Sequence, residues 1–308
     1  MRLENKRIVV TGGAGFIGSH LVDLLVSNNS VTVADNLPPD RIKTINSKAD
    51  YVNANLLDKN SVQSVMKNFD LVIHLAANPL ASVTDSSEML ENILMTHNIL
   101  EAMKTNNIRN IAFASSAIVY GNAPSPTKES YGPLTPHSLY AASKLACEAL
   151  ISSYCHTFNL NAWIFRFANV GGPRLKHGPI YDFVIKLKKN PKQLEVLGDG
   201  SQLRCYLDIK DCIKGIMHII EHAESTVNVV NLGSEDVISI KRIAEIVIEE
   251  MNVDAKIVFT SNEAKGWKGD VKVFQPDIGF AKTLGWSPSY DSEKTVAETV
   301  RSLVRENL

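Results

Sequence analysis

The chain has 308 residues, with 32 lysines and arginines against 33 aspartates and glutamates and a formal net charge of −1. This balance leaves no positive excess to neutralise a phosphate backbone, so we expect no nucleic-acid partner. Apolar runs fall far short of the roughly 18–20 residues of a membrane span, and the first residues lack the apolar stretch of a signal peptide. We therefore expect no membrane association and a cytoplasmic protein.

Four cysteines lack the C-x-x-C spacing of metal sites and redox motifs: Cys147, Cys155, Cys205 and Cys212. A reducing compartment gives little reason to expect disulfides, so we interpret these residues as core packing and expect no metal site. The length exceeds that of one simple domain and predicts a second, smaller one.

Five features follow one another within the first 35 residues, in the order of a nucleotide-binding βαβ unit. They are an apolar run at 7–11, the glycines Gly12, Gly15 and Gly18, a helical segment at 19–26, a second apolar run at 31–34, and Asp35. The apolar runs are typical of buried parallel strands. Glycines allow the tight turn and let a pyrophosphate approach the amides at the helix start.

Asp35 stands about 20 residues past the glycines, where an acid can bond both ribose hydroxyls of a dinucleotide. This position favours NAD over NADP. A triphosphate-binding loop is the competing motif, but it requires a lysine directly after the last glycine, where this chain has Ser19.

Strands and helices continue to alternate up to residue 167, which predicts an α/β fold with a doubly wound parallel sheet. The predicted strands are 51–53, 71–77, 108–114 and 161–167, and the predicted helices are 61–67, 86–104 and 137–158. Ligands of such sheets bind outside the carboxyl ends of the strands, so Ser115 and Ser116 should lie at the functional edge. We interpret His74, inside an apolar run, as a hydrogen-bonded core residue.

The alternation breaks at residues 169–174, where we expect the chain to cross into the smaller domain. The predicted division is a nucleotide-binding domain of residues 1–168, to which 205–235 return, and a substrate domain of 169–204 and 236–308.

Tyr140 and Lys144 are separated by one helical turn and should share one face of their helix. Tyrosine is a poor base at neutral pH because its ordinary pKa is near 10, but a nearby cation favours the phenolate. We expect Lys144 to lower the pKa of Tyr140, so that the phenolate can take a proton from a sugar hydroxyl positioned by Ser116. By itself the pair is more typical of a solvated helix face, and it gains meaning only together with the glycine motif and Ser116.

Together these motifs resemble the extended short-chain dehydrogenase/reductase family, most closely the UDP-glucose 4-epimerases, including the archaeal-type members. The resemblance spans the chain and rests on segments 10–20, 74–77, 115–121, 140–144, 166–169 and 198–200. It implies a Rossmann-type fold with a smaller C-terminal substrate-binding domain, NAD as cofactor and a UDP-sugar as substrate. It also implies hydride abstraction at C4, rotation of a 4-keto intermediate and return of the hydride.

The resemblance implies a role for individual residues of this chain. The catalytic residues would be Ser116, Tyr140 and Lys144, the last two also touching the cofactor. The other NAD-binding residues would be Gly12, Gly15, Phe16, Ile17, Gly18, Asp35, Asn36, Asn55, Leu56, Leu75, Ala76, Ala77 and Asn92. Besides Ser116, the substrate-binding residues would be Asn169, Arg204, Asp270 and Phe274.

Three positions depart from the pattern of the resembling bacterial enzymes. Asn55 replaces an aspartate that binds adenine, Pro79 stands where a lysine is common, and Trp267 replaces a second diphosphate-binding arginine. An amide oxygen can still accept a bond from the adenine amine, whereas the last two departures concern the binding of the diphosphate.

The residues that follow Ser116 distinguish reactions within the resembling family. Dehydratases need an acid there to eliminate water, and sugar-acid decarboxylases tend to carry one, whereas this chain has Ala117 and Ile118. We therefore expect epimerisation, with another nucleotide-sugar epimerase or reductase as the alternative. A non-catalytic NAD-binding sensor is the alternative from a different class, because a fold alone does not prove an activity.

Two further expectations concern assembly and sugar size. Helices 86–104 and 137–158 carry apolar residues on more than one face, among them Met89 and Leu100, and both this pattern and the resemblance predict a homodimer. Phe274 corresponds to a position that restricts the sugar pocket in the resembling epimerases. Its bulk predicts a preference for unmodified sugars over N-acetylated ones, although Phe274 is equally compatible with a core aromatic.

Overall fold

The computed structural model describes residues 1–37, 45–80, 85–267 and 269–306 of the chain. Its strands are β1 Arg7–Thr11, β2 Ser30–Asp35, β3 Asp50–Asn53, β4 Leu71–His74, β5 Asn110–Ser116, β6 Asn161–Phe167, β7 Asn169–Gly171, β8 Gln193–Val196, β9 Leu203–Arg204, β10 Tyr206–Asp208, β11 Val227–Leu232, β12 Ile238–Ser239, β13 Lys256–Phe259 and β14 Val273–Phe274. Its helices are α1 Phe16–Leu25, α2 Lys59–Val65, α3 Ser86–Thr105, α4 Leu139–Phe158, α5 Pro179–Lys189, α6 Ile209–His222, α7 Ile240–Glu250, α8 Gly279–Thr283 and α9 Ser292–Arg305.

The central sheet confirms the predicted doubly wound α/β fold. Its strand order is β11-β6-β5-β4-β1-β2-β3, and β1 runs parallel to both β2 and β4. The order reverses between β1 and β4. Strands β2 and β3 follow on one side of β1, and β4, β5, β6 and β11 follow on the other. A reversal of this kind opens a crevice at the carboxyl ends of the strands, where ligands of such sheets bind.

The core of the sheet forms because its strands are apolar on both faces. Val9 of β1 and Val72 of β4 pack in one cluster with Ile99 of α3, Phe113 of β5 and Ile151 of α4, and all five are essentially inaccessible to water. Continuous burial of this kind is what an apolar run of four to seven residues predicts for a parallel strand.

Helix boundaries follow from capping groups that the periodicity of the sequence does not show. The Asp85 side chain accepts a hydrogen bond from Ser87 N and starts α3, and Asp58 caps α2 in the same way. Helix α1 begins three residues earlier than predicted, with Gly15 as its N-cap. Its first turn therefore lies within the glycine motif.

The described chain divides into two compact units. The first comprises Met1–Val119, Leu139–Arg166 and Ile216–Val230, and the second comprises Tyr120–Ser138, Phe167–Gly215 and Asn231–Leu308. This division differs from the predicted domains mainly in residues 120–138 and 205–215, which belong to the second unit. One reason is that Thr127 N donates to Gln275 O at 3.0 Å, which joins the first of these segments to the C-terminal part of the chain.

The second unit contains small sheets that the sequence pattern did not predict. Strands β7 and β10 pair in parallel, β9 lies between β12 and β14, and β8 pairs with β13. Helices α5, α7 and α9 pack on one another within this unit. Among the described residues, no helix is both long and apolar enough to cross a bilayer.

Candidate active site

The glycine turn after β1 lies directly against the loop after β4. Gly12 has a φ of +69°, and a Cβ placed on it would come within 2.6 Å of Ala76 N. A Cβ on Gly18 would lie 2.3 Å from Gly12 O. Neither backbone atom can move aside easily, so only glycine fits at these two positions. The fold thus brings Gly12, Gly18 and the predicted cofactor residues Leu75 and Ala76 together.

The amino terminus of α1 points out of this turn without a side-chain cap. Gly15 is its N-cap, and within the described part of the chain no side chain caps the helix and no acid occupies its first turn. The first amides of a helix have no partner inside the helix and carry partial positive charge. Phe16 and Ile17 therefore present these amides to an anion, as the pyrophosphate of a dinucleotide requires.

Asp35 ends β2 and faces the same turn. Its Oδ2 accepts a hydrogen bond from Ala14 N at 3.0 Å, and its Oδ1 accepts one from Leu37 N at 3.2 Å. Asn36, which follows it, is exposed. The carboxylate is thus held in place by backbone amides beside the turn, a position that fits the ribose of a dinucleotide.

The loop after β3 lies next to Asp35 at the end of β2. Ala54 N donates to Asp35 O at 2.8 Å, which places the predicted adenine residue Asn55 next to the end of β2. The Asn55 side-chain oxygen accepts from Leu57 N at 3.0 Å, so this loop is an Asx turn. Leu56 is buried, and its carbonyl accepts a bond from Asn98 Nδ2 at 2.9 Å.

Both the oxygen and the nitrogen of the Asn92 side-chain amide, on α3, form hydrogen bonds to other protein groups. Its oxygen accepts from Asn78 N at 2.7 Å, and its nitrogen donates to Ser143 Oγ on α4 at 3.2 Å. Asn92 therefore supports the loop that contains Ala77 and joins it to α4. A direct contact between Asn92 and the cofactor stays a prediction.

The predicted catalytic residues lie in the first unit, at the carboxyl end of β5 and the start of α4. Lys144 is buried, its Nζ donates to Ala114 O at 2.7 Å, and it lies 5.8 Å from the centre of the Tyr140 ring. Ser116 is the last residue of β5, and its Oγ accepts a hydrogen bond from Ile118 N at 3.3 Å. The ammonium group is thus held close to both the phenol and the strand that ends in Ser116.

Burial shifts the pKa values of Tyr140 and Lys144 in opposite directions. It raises the pKa of the half-buried Tyr140 to about 12 and lowers that of Lys144 to about 8, because both charged forms lose hydration. In the protein alone the pKa of Tyr140 is therefore raised, whereas its spacing from Lys144 predicts a lowered pKa. A phenolate here requires further positive charge.

His74 satisfies both ring nitrogens inside the core, as predicted. Nδ1 lies 2.8 Å from Thr11 Oγ1, and Nε2 lies 3.1 Å from Thr96 Oγ1. Burial lowers the pKa of His74 to about 3, so the ring is neutral. It links β4 to β1 and α3 and is not a candidate acid or base.

Sequence reasoning missed a buried ion pair next to these residues. Arg166 Nη2 lies 2.7 Å from Glu148 Oε2, and Ser115 Oγ donates to Oε1 of the same carboxylate at 2.5 Å. Two signals could have revealed it. Glu148 follows Lys144 at helical spacing, and Arg166 is a charge inside an otherwise apolar strand, which requires a partner.

Apart from Ser116, the predicted substrate residues lie in the second unit. Arg204 Nη2 and Asp270 Oδ1 form a buried ion pair at 2.6 Å, and Gly266 N donates to Asp270 Oδ2 at 3.0 Å. Asn169 Nδ2 donates to Cys205 O at 3.3 Å, so it adjoins the strand of Arg204. Phe274 is half-buried and is the register partner of Arg204 in the pairing of β14 with β9. These four residues therefore form one region.

The two departures that concern diphosphate binding occupy different units. Trp267 is half-buried, and its carbonyl accepts a bond from Asp270 N at 3.1 Å, so it adjoins the Arg204–Asp270 pair. Pro79 is exposed in the loop after β4 and lies in the first unit. Trp267 is thus the departure that bears on the second-unit region.

Comparison with known proteins gives consistent matches. Residues 8–233 match the NAD dependent epimerase/dehydratase family. A protein of Methanocaldococcus jannaschii, provisionally named UDP-glucose 4-epimerase, is 32% identical and the match covers 97% of this chain and 99% of its own. The crystal structure of a UDP-galactose 4-epimerase is 36% identical, covers 98% of this chain and 100% of its own, and has a TM-score of 0.89. A UDP-N-acetyl-alpha-D-glucosaminuronate decarboxylase of Bacillus cytotoxicus is 31% identical over 96% of this chain and 97% of its own.

Replacing Asp35 by alanine should weaken NAD binding by about 10- to 100-fold, since hydrogen bonds to a charged group are worth about 1.5–3 kcal/mol. Calorimetric titration of the two proteins with NAD measures the change. Asp50→Ala removes an exposed carboxylate from the start of β3 and serves as the control. Equal NAD affinity of wild type and Asp35→Ala would rule out the ribose contact.

The buried ammonium of Lys144 should make stability depend on pH between about 8 and 10. The pKa of Lys144 is about 8 in the folded protein and 10.5 in its ordinary state, so the unfolded chain binds more protons in this window. The free energy of unfolding of wild type should therefore rise with pH, relative to Lys144→Met, by about 2–3 kcal/mol, at about 1.4 kcal/mol per pKa unit.

Urea unfolding at pH 8 and pH 10 measures this difference. Lys188→Met removes an exposed ammonium at the end of α5 and should retain the wild-type pH dependence. If the free energy of unfolding changes equally with pH in wild type and Lys144→Met, burial does not disfavour the ammonium form of Lys144.

Proposed function

Because this chain belongs to the NAD dependent epimerase/dehydratase family, we propose that it interconverts UDP-glucose and UDP-galactose. The proposal rests on the group formed by Ser116, Tyr140 and Lys144 at the carboxyl end of β5. Ala117 and Ile118 follow this group, so no carboxylate stands directly after Ser116 to eliminate water. Proton exchange with a sugar hydroxyl is then the chemistry available to these side chains.

NAD, when bound, supplies the hydride acceptor and donor for C4 of the sugar. Ser116 would hold the C4 hydroxyl in line, and Tyr140 would take its proton as the C4 hydrogen leaves. Tyr140 would return the proton to the oxygen after the sugar presents its other face. Lys144 would hold the phenolate by its charge, a role it can fill while it is protonated, up to its pKa of about 8.

Residues Gly12, Gly15, Phe16, Ile17 and Asp35 would hold NAD. The turn lacks the space for any side chain at Gly12, the start of α1 presents uncapped amides within the described chain, and Asp35 is oriented by Ala14 N. These three features match a glycine-bound pyrophosphate and an acid-bound ribose.

The UDP moiety would be bound by Asn169, Arg204 and Asp270 of the second unit. The charge of Arg204 is balanced by Asp270 at 2.6 Å, so a diphosphate would meet a guanidinium that is already oriented. Asn169, which bonds to Cys205 O, would contribute an amide beside it.

Three other functions remain as alternatives. One is another nucleotide-sugar epimerase or reductase of the same family, which conversion of UDP-N-acetylglucosamine but not of UDP-galactose would support. The similarity to the Bacillus cytotoxicus decarboxylase favours a decarboxylase of a UDP-sugar acid, which would release CO₂ from a uronic acid substrate. A non-catalytic sensor would bind NAD without converting any sugar. Purified protein without added cofactor should be incubated with UDP-galactose, UDP-glucuronate or UDP-N-acetylglucosamine. Formation of UDP-glucose from UDP-galactose supports the proposal, and CO₂ release from UDP-glucuronate supports the decarboxylase. The absence of any conversion or reduced-nicotinamide absorbance supports the sensor.

Tyr140→Phe should reduce kcat by about 10²- to 10⁴-fold, the usual contribution of a general base, while the protein still folds and binds NAD. The kinetics of UDP-galactose conversion and a parallel NAD titration measure both quantities. Tyr131→Phe, outside α4, is the matched control. A loss of activity below tenfold would exclude Tyr140 as the base.

Phe274 should restrict the sugar pocket, so that UDP-galactose is preferred over UDP-N-acetylgalactosamine by roughly 10- to 100-fold in kcat/KM. The register of β14 and β9 supports this role, because it places Phe274 beside Arg204, which we propose binds the diphosphate. Phe274→Ala should gain activity on the N-acetylated sugar with folding intact. General destabilisation with unchanged sugar preference would identify Phe274 as a core aromatic.

We also propose a homodimer formed by α3 and α4. Met89 and Leu100 are buried within the first unit, but Leu90, Leu94 and Leu139 are 60%, 46% and 36% exposed. Leu90 and Leu94 are one helical turn apart, so their exposed surfaces adjoin on α3. Light scattering at micromolar concentration should give the mass of a dimer, and Leu90→Glu/Leu94→Glu should give that of a monomer. A monomeric wild type would refute the proposal.

A further inference from the structure

The carboxylate of Glu148 is bonded from two neighbouring strands. Arg166 of β6 donates from Nε to Oε1 at 3.1 Å and from Nη2 to Oε2 at 2.7 Å, while Ser115 of β5 donates to Oε1 at 2.5 Å. All three residues are at most 5% exposed. We call these residues the Glu148 cluster. Because the guanidinium fork is planar and binds both oxygens, it fixes the direction of the carboxylate as well as its position.

The cluster adjoins the proposed catalytic residues through both the helix and the strand. Tyr140, Lys144 and Glu148 follow one another at four-residue spacing on α4, so they share one side of the helix. Lys144 bonds to Ala114 O, and Glu148 bonds to the next residue, Ser115, which precedes Ser116. Helix α4 is thus joined at two successive turns to Ala114 and Ser115, the two residues that precede Ser116 in β5.

Stability alone does not account for these charges. A water-excluded ion pair can often be replaced by apolar side chains of similar volume without loss of stability, because desolvation offsets its attraction. An apolar pair would fill the same space but would not fix the height of α4 along β5. That height sets the distance between the phenol of Tyr140 and the hydroxyl of Ser116.

We propose that Glu148 and Arg166 are positioning residues, which hold α4 against β5 so that Tyr140 and Lys144 keep their places relative to Ser116. This inference rests on the proposed function, because the geometry concerned is that of the proposed proton transfer. Displacement of a reacting group by about 1 Å can cost about 100-fold in rate. The cluster therefore acts through the catalytic residues and does not touch the sugar.

The test uses a double variant, Glu148→Leu/Arg166→Met, which removes both charges while keeping apolar volume. Glu250→Leu/Arg301→Met is the matched control, since Arg301 binds Glu250 through the same two-nitrogen fork, at 2.8 and 2.6 Å, far along the chain in α7 and α9. Urea unfolding, NAD titration, and kcat and KM for UDP-galactose are measured on both. Lysine labelled with ¹³C at Cε reports the titration of Lys144 by NMR.

In the double variant, kcat should fall about 10- to 100-fold, while KM and NAD affinity stay within about twofold of wild type. The Glu148 charge itself raises the pKa of Lys144, so its removal alone would move the Lys144 titration downward from about pH 8. An upward move is expected instead, because a loosened α4 admits water to the ammonium and relieves its desolvation. The control should match wild type in every quantity. A folded double variant with wild-type kcat and no upward move of the Lys144 titration would overturn the inference.

Two outcomes separate this inference from the proposed function. If wild type does not convert UDP-galactose, the proposed function fails, and the Lys144 titration alone decides whether the cluster holds α4: a titration that does not move upward rejects it. If the double variant does not fold, Ser115→Ala removes one bond of the cluster with little change of volume. It should lower kcat several-fold at constant KM, and an unchanged kcat would reject the inference.

Discussion

The contact between the glycine turn and the loop after β4 is the constraint on which the rest of the first unit depends. Gly12 passes so close to Ala76 that a methyl group would lie 2.6 Å from a backbone nitrogen. This closeness lets Leu75 N bond to Thr11 O at 3.0 Å one step beyond the end of β4. The carboxyl ends of β1 and β4 therefore stay together, and α1 begins directly beside them.

Two side chains of the same region pair with backbone amides of its loops. Asp35 accepts a hydrogen bond from Ala14 N, and Asn92 accepts one from Asn78 N. Both donors are backbone amides of loops that follow strands. Loops at such an edge have backbone groups that no neighbouring strand can satisfy. Side chains that satisfy them order the loops before any ligand arrives, which reduces the entropy that binding must offset.

Much of this arrangement could be predicted from the sequence because it depends on local spacing. The glycine turn, Asp35 at the end of β2 and the Tyr140–Lys144 pair each lie within a short segment whose geometry is set by one turn of helix or one strand end. The core role of His74 was also predicted, since an apolar run imposes burial on its members.

The remainder depends on contacts between distant segments. Arg166 and Glu148 are 18 residues apart and meet only after β6 and α4 pack. Strands such as β9 and β14 have two residues each, too few to show any periodicity. Spacing predicts the wrong sign for the pKa shift of Tyr140 because it shows the neighbouring cation but not the water lost on folding, and burial is the largest cause of the shift.

Opposite pKa shifts in Tyr140 and Lys144 have one cause and one consequence. Burial disfavours charge on either group, so a lysine with a pKa of about 8 and a phenol with a pKa of about 12 can both be neutral between those values. A phenolate would form only when further positive charge enters its surroundings, as a cation bound beside the ring. Protonated Lys144 gains Ala114 O as a hydrogen-bond acceptor at 2.7 Å, which partly offsets its lost hydration. The protein thus keeps Tyr140, the proposed base, protonated until a ligand is bound. Because Tyr140 would ionise only in the presence of that ligand, the protein does not have to stabilise an unpaired buried anion.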